Sequence, residues 1–293
     1  MRIVSLLPSA TEIVYALGLD DDLVGVTHEC NWPPAVLGKP QVSMSLLPAG
    51  ATASEIDALV SAGTGLPTER LDDVVLASLE PDLILTQDLC AVCAVPAGDV
   101  EAALDVIGCR ATVVSLDPGS IDEMLADITR VGEVTGRGEK AALVVDGLRQ
   151  RLTAIRERLG NAPRRRTLIL EWGDPLFNAG HWLPGMVELA GGSPVLAHPG
   201  ADSVRVTWDQ VRDAAPEVVV FSPCGYDLDA AVTEGRRLAD RPELAGAEWW
   251  AVDADSYFVR PGPRLVDGAE ILASILHPEE MGPPPPAAAA RLT

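Results

Sequence analysis

Cysteine is scarce in this sequence, with five residues in 293, at positions 30, 90, 93, 109 and 224. A chain this long can bury enough apolar surface to fold without covalent staples, so a disulfide framework is not expected. Positive charge is also short: 22 Lys and Arg stand against 43 Asp and Glu, a formal net charge of −21. That field repels phosphate backbones and anionic lipid surfaces, which argues against a nucleic-acid partner. No apolar run approaches the roughly 20 residues of a membrane span, and the first, residues 3–7, is stopped by Pro8. Membrane insertion is not expected. The basic start, longer apolar stretch and small-residue cleavage site of a secretory leader are missing too, because Met1-Arg2 runs straight into what reads as a strand. On that reading the protein stays in the cytoplasm, with its thiols reduced. Catalytic signatures are equally thin. "TGRGEK" lacks the preceding strand and the Ser or Thr of a phosphate-binding loop, and neither H-E-x-x-H nor G-x-S-x-G occurs.

What is present is alternation. Residues 2–7, 23–27, 82–86 and 112–116 read as short strands with helices between them; in the second half residues 167–172, 217–222 and 250–253 read as strands and 182–190, 208–214 and 264–276 as helices. This predicts an α/β protein of two halves, each a parallel sheet covered by helices. Ser9 followed by Glu12 predicts a capping box at the start of the first helix, which should end near Gly18. Between the halves, Ala142, Val145, Leu148, Leu152, Ile155 and Leu159 recur at steps of three and four, one apolar stripe on a long helix over residues 139–159. The expected organisation is an N-terminal lobe (1–135), a connecting helix (136–161), a C-terminal lobe (162–276) and a disordered Pro/Ala-rich tail (277–293).

Three segments together resemble one family: "RIVSLLPSATEIVYALGLDDDLVGVT", the long mid-chain helix, and "EWGDPLFNAGHWLPGMVELAGG". They are similar to the helical-backbone substrate-binding proteins of ABC importers, and within them to cobalamin-binding-like members without a signal peptide. The resemblance implies two Rossmann-like lobes joined by one rigid helix. It implies a cleft between the lobes that holds a corrinoid such as cobalamin or another large metal chelate, in a binding protein rather than an enzyme. It also implies docking on an ABC permease through an exposed acidic residue on each lobe. The missing leader argues against that partner, and none of the 43 acids stands out for the role.

Ligands of open parallel sheets sit beyond the carboxyl ends of the strands. The residues that follow the strands are therefore the candidates: Pro8, Ser9, His28, Trp32 and Gln87 in the first half, and Trp172, Phe177, His181, Trp182, Tyr257, Arg260 and Arg264 in the second. Aromatic faces suit a flat macrocycle, imidazoles suit a metal or its polar periphery, and the stiff "VRPGPR" turn holds two guanidinium groups for amides or phosphate. Core packing accounts equally well for some of them, Trp182 above all. "TQDLCAVCAV" leaves four readings open: half of a metal site, a redox pair, packing, or pocket lining. Cys90 and Cys93 are expected to be reduced and to line the cleft. In the metal reading, Cys30, Cys90, Cys93 and Cys224 or His28 bind zinc, iron or an iron-sulfur cluster, and the protein is a metal-handling protein or metalloenzyme. Cys109, which precedes a strand, belongs to the core at the opposite end.

Overall fold

Runs of three to five apolar residues become strands where both faces of a sheet are covered, and that condition is met in two places in the chain. The computed structural model describes residues 1–48, 54, 55, 58, 59, 68–88, 97–244 and 246–293. It divides into two units, Met1–Pro118 with Leu125–Val145, and Gly119–Met124 with Asp146–Thr293.

The first unit contains β1 (Ile3–Ser5), α1 (Pro8–Ala16), β2 (Leu23–Val26), β3 (Ser43–Ser45), β4 (Glu69–Leu71), α2 (Asp73–Leu79), β5 (Leu83–Thr86), α3 (Ala97–Ile107) and β6 (Thr112–Ser115). Its main sheet runs β2-β1-β5-β6, all parallel, with Ile3 opposite Leu83 and Leu85 opposite Val114. Val4, Leu6, Val42, Leu76, Ile84, Val100 and Leu104 form its core. Cys109 packs against that core, as its position before β6 predicts. The short antiparallel ribbon β3-β4 is separate from this sheet.

The expected capping box at Ser9 does not form. Pro8 takes the first helical position, where its fixed φ suits the helix and its missing N–H costs nothing, Leu7 is the N-cap, and no side chain caps the end. Ser9 and Glu12 are buried instead. The complete capping box belongs to a later helix, Trp208–Ala214, where Thr207 accepts from Gln210 N at 3.2 Å and Gln210 accepts from Thr207 N at 2.8 Å.

Next come α4 (Ile121–Val134) and the long α5 (Gly138–Leu159). The apolar stripe of α5 is buried at Val145, Leu148, Leu152, Ile155 and Leu159, but it starts at Ala141, which is buried, rather than at the exposed Ala142. Neither helix is confined to one unit: α4 changes units between Met124 and Leu125, and α5 between Val145 and Asp146. Arg151, off the stripe, is not simply solvated. Its guanidinium forks onto Glu270, at 2.9 and 2.7 Å, and also reaches Asp267.

The second unit contains β7 (Arg165–Gly173), β8 (Leu176–Asn178), α6 (Leu183–Leu189), β9 (Gly192–Pro194), α7 (Trp208–Ala214), β10 (Val218–Phe221), α8 (Leu228–Ala239), β11 (Glu248–Val252), α9 (Ala254–Tyr257), α10 (Leu265–Leu276), α11 (Pro278–Met281) and β12 (Ala289–Arg291). Its sheet runs β12-β11-β10-β7-β8, with β9 also on β7. It is mixed, not purely parallel: β8 returns antiparallel to β7 because the connection at residues 174 and 175 is far too short for a crossover, and β12 is antiparallel to β11. The tail expected to be disordered is thus part of the sheet. Ala289, Ala290 and Arg291 pair with Val252, Ala251 and Trp250, completing an edge through backbone hydrogen bonds that need no apolar pattern, and Leu292 packs on the core. Among the described residues, no helix is long and apolar enough to cross a membrane.

Candidate functional site

The carboxyl edge of the first sheet carries Pro8 and Ser9, both buried at the start of α1. Beyond β2, Trp32 is 44% exposed, while Cys30 is buried, its Sγ 3.1 Å from Thr11 Oγ1 and 3.6 Å from Thr27 Oγ1. Gln87 is buried just after β5. Asp88, which the sequence does not mark out, organises the same edge by accepting from Ala97 N at 2.7 Å and from the Ser115 hydroxyl at 3.2 Å. Cys90 and Cys93 lie outside the described residues.

His28 is half-buried, with Nδ1 3.1 Å from Ser43 Oγ on β3. In the β3-β4 ribbon Ser43 faces Leu71, so Glu69, two residues away on β4, shares its side of the ribbon. The Ser43 hydroxyl bonds the Glu69 carboxyl, yet burial and the neighbouring Glu29 charge push that carboxyl up to about 7. One ligand atom each from His28, Glu29 and Glu69 lies within 4.8 Å of the other two. No cysteine joins this cluster among the described residues.

At the carboxyl edge of the second sheet, Trp172 and Phe177 meet edge to face with centroids 6.2 Å apart, and the Arg205 guanidinium lies 5.7 Å from the Phe177 ring centre. These two half-buried rings and a cation form an aromatic, positively charged corner on the β7-β8 hairpin. Arg205 escaped the sequence reading because its pairing with Phe177 depends on an isolated bridge between the two backbones.

His181 has φ +53, and its ring lies 3.4 Å from the exposed carboxylate of Asp202. The turn before it is tight: a Cβ on Gly180 would lie 2.3 Å from Ser203 N. Trp182 is 8% exposed and donates its indole N–H to the Phe258 carbonyl at 2.7 Å, the geometry of a packing residue. It contributes one edge to a recess of about 560 Å³ that His181, Arg149, Arg156 and Arg164 also line. Glu171 accepts from Gly180 N at 3.0 Å and from Ser203, but desolvation raises its pKa nonetheless.

That direction fixes a pH dependence. The folded protein holds the Glu171 proton more tightly than the unfolded chain does, so stability falls as pH rises from the ordinary value of 4.5 through the raised one. The slope from one such group is at most about 1.4 kcal/mol per pH unit. Glu171→Gln, whose amide oxygen can still accept from Gly180, is expected to flatten this part of the profile. Urea midpoints measured at successive pH values for both proteins check it, and parallel profiles would remove Glu171 as the cause.

Beyond β10, Cys224 is exposed, and Tyr226 donates its hydroxyl to Glu234 at 2.9 Å; burial first, and then that bond and the Glu234 charge, push the phenol up to about 12. Beyond β11, Tyr257 ends α9 with the Arg264 guanidinium 5.8 Å from its ring centre. Arg260 is committed to Asp255 at 2.6 Å, with only 9% of its side chain exposed, so it stiffens the turn more than it offers a free charge.

Both sheets therefore gather aromatic and polar side chains at their carboxyl edges. Residues 3–248 match the model of the periplasmic binding protein family. The chain belongs to that family. It is 27% identical over 274 residues to the vitamin B12-binding protein of Yersinia pestis, covering 92% of this chain and 84% of that one. The periplasmic vitamin B12-binding protein of Vibrio cholerae has a similar structure, with a TM-score of 0.68, 24% identity, and 94% and 96% of the two chains covered. So does a periplasmic heme-binding protein from Pseudomonas aeruginosa, with a TM-score of 0.72, 21% identity, and 98% and 96% covered. The two-lobe α/β fold read from the sequence is the fold of these neighbours.

Proposed function

We propose that this protein binds a corrinoid, or a haem-like metal chelate of similar size, through the loops at the carboxyl edges of its sheets. The observation that carries this reading is the similarity to vitamin B12-binding protein, which extends over 92% of the chain rather than over one motif. The chemistry of the loops supports it. The exposed Trp32 and the half-buried Trp172, Phe177 and Tyr257 offer flat apolar faces, while Arg205 and Arg264 lie beside two of those rings to meet polar side chains of a macrocycle. The role is capture and not turnover, and a permease partner would follow from it only if the protein works outside the cytoplasm.

Calorimetric and absorbance titrations of the purified protein with cyanocobalamin, hydroxocobalamin and haemin test the reading. Saturable binding of one equivalent of at least one of them is expected, and the order among them names the ligand class. Neither heat nor spectral change with all three at high micromolar concentration would sink it. A cytoplasmic location remains part of the proposal; fractionation of the source cells checks it, and recovery of the protein outside the cytoplasm would overturn it.

A further inference from the structure

We propose that His28, Glu29 and Glu69 form a site for a divalent transition-metal ion, with one imidazole and two carboxylates as protein ligands. The inference stands apart from chelate binding and does not depend on it. Three observations converge. One potential ligand atom from each residue lies within 4.8 Å of the other two, although they come from the loop after β2 and from β4. Glu69 is 6% exposed, and its Oε2 is buried without a hydrogen-bond partner among the described residues, an arrangement that costs free energy unless something else meets that oxygen. Ser43 Oγ, 3.1 Å from His28 Nδ1 and bonded to Glu69, braces two of the three ligands from behind, as the outer partners of metal ligands do.

A cation resolves what the residues alone leave opposed, because it meets the buried oxygen and offsets the repulsion between Glu29 and Glu69. The fit in size is close. Tetrahedral ligands at about 2.0 to 2.1 Å from zinc lie about 3.4 Å apart, so atoms within 4.8 Å of one another need to close by at most about 1.4 Å. Glu29 is exposed, whereas the buried Glu69 is the fixed anchor. The imidazole favours a first-row transition ion over magnesium or calcium, and three protein ligands leave at least one coordination position open to water or another molecule.

The test uses the full-length protein stripped with chelator and titrated with Co(II) and Zn(II). Saturation at one equivalent is expected, with visible Co(II) bands of a low-symmetry nitrogen and oxygen site. Glu69→Gln, which keeps shape and removes charge, is expected to weaken binding at least tenfold, and so is His28→Gln. Circular dichroism reports whether each variant folds, and the half-buried His28 position carries the test if Glu69→Gln does not. The proposal is overturned by the absence of saturable binding, by folded variants that bind as the parent does, or by a cobalt-thiolate charge-transfer band, which would move the ion to the cysteines.

Discussion

Gly268→Ala is expected to destabilise the second unit by about 3 kcal/mol or more, although alanine is the better helix former. Gly268 lies in α10 where that helix passes the end of α9. A Cβ there would sit 2.0 Å from the Tyr257 carbonyl oxygen and 3.0 Å from its carbon. Met186 Cε, at 3.2 Å, could rotate away, but a backbone carbonyl cannot without moving the turn that follows it. That turn carries Tyr257, Arg260 and Arg264, so the surviving folded fraction is also expected to bind the chelate more weakly. Gly147→Ala supplies the control. It is the same substitution inside a helix, α5, but a Cβ there meets nothing within 4 Å, and the variant should gain up to about 1 kcal/mol. Urea denaturation of the two proteins gives shifts of opposite sign if the Tyr257 contact governs the effect. Equal shifts would mean that helix propensity alone decides.

The contrast between these glycines reflects what was legible in the sequence. Repeating patterns were: the apolar strands within residues 82–86 and 217–222 appear as Leu83–Thr86 and Val218–Phe221, and the helix expected over residues 208–214 is Trp208–Ala214. Their cause is burial on both faces or on one stripe, which writes itself into the local order of residues. Elements held by backbone hydrogen bonds at an edge leave no such trace. Hence β8 leaves no signal of its own, and the alanine-rich tail that forms β12 reads as disordered. The capping box was misplaced because S-x-x-E and a proline at N1 compete for one helix end, and proline prevails.

The candidate site was legible to the same extent. Counting residues beyond each strand places His28, Trp32, Trp172 and Tyr257 at the carboxyl edges, because strand direction alone fixes that. What each side chain then meets depends on residues distant in the chain. Glu69 reaches His28 only through the β3-β4 pairing, Arg205 reaches Phe177 through a backbone bridge, and Arg260 is tied by Asp255. Trp182, the candidate to which core packing applies above all, donates its N–H to the Phe258 carbonyl, as a packing residue does.

Phe221→Ala is expected to cost the second unit about 3 to 5 kcal/mol, the range for deleting a buried aromatic ring. Phe221 is fully buried at the end of the central strand β10, between Leu170 of β7 and Ala251 of β11. Its ring is in the core with Leu168, Val219, Leu238 and Trp249. Gly235 of α8 makes room for it, since a Cβ there would lie 3.2 Å from the ring. The helix therefore approaches closely, and its backbone is held on both sides, so collapse into the vacated space is limited and the full cavity cost is expected. Intrinsic fluorescence is a selective probe, because Trp172, Trp182, Trp208, Trp249 and Trp250 are in the second unit and only Trp32 is in the first. With an m-value of about 2 kcal/mol per molar urea, the fluorescence midpoint should fall by about 2 M. Phe221→Leu, which keeps most of the volume, should fall by less than half as much. Equal losses from leucine and alanine would show that the aromatic shape matters and the cavity does not. The ring also fixes the strand end from which Ser222, Cys224 and Tyr226 depart. Chelate binding by the alanine variant, measured well below its transition, should therefore weaken through that loop while Trp32 and His28 in the first unit are untouched.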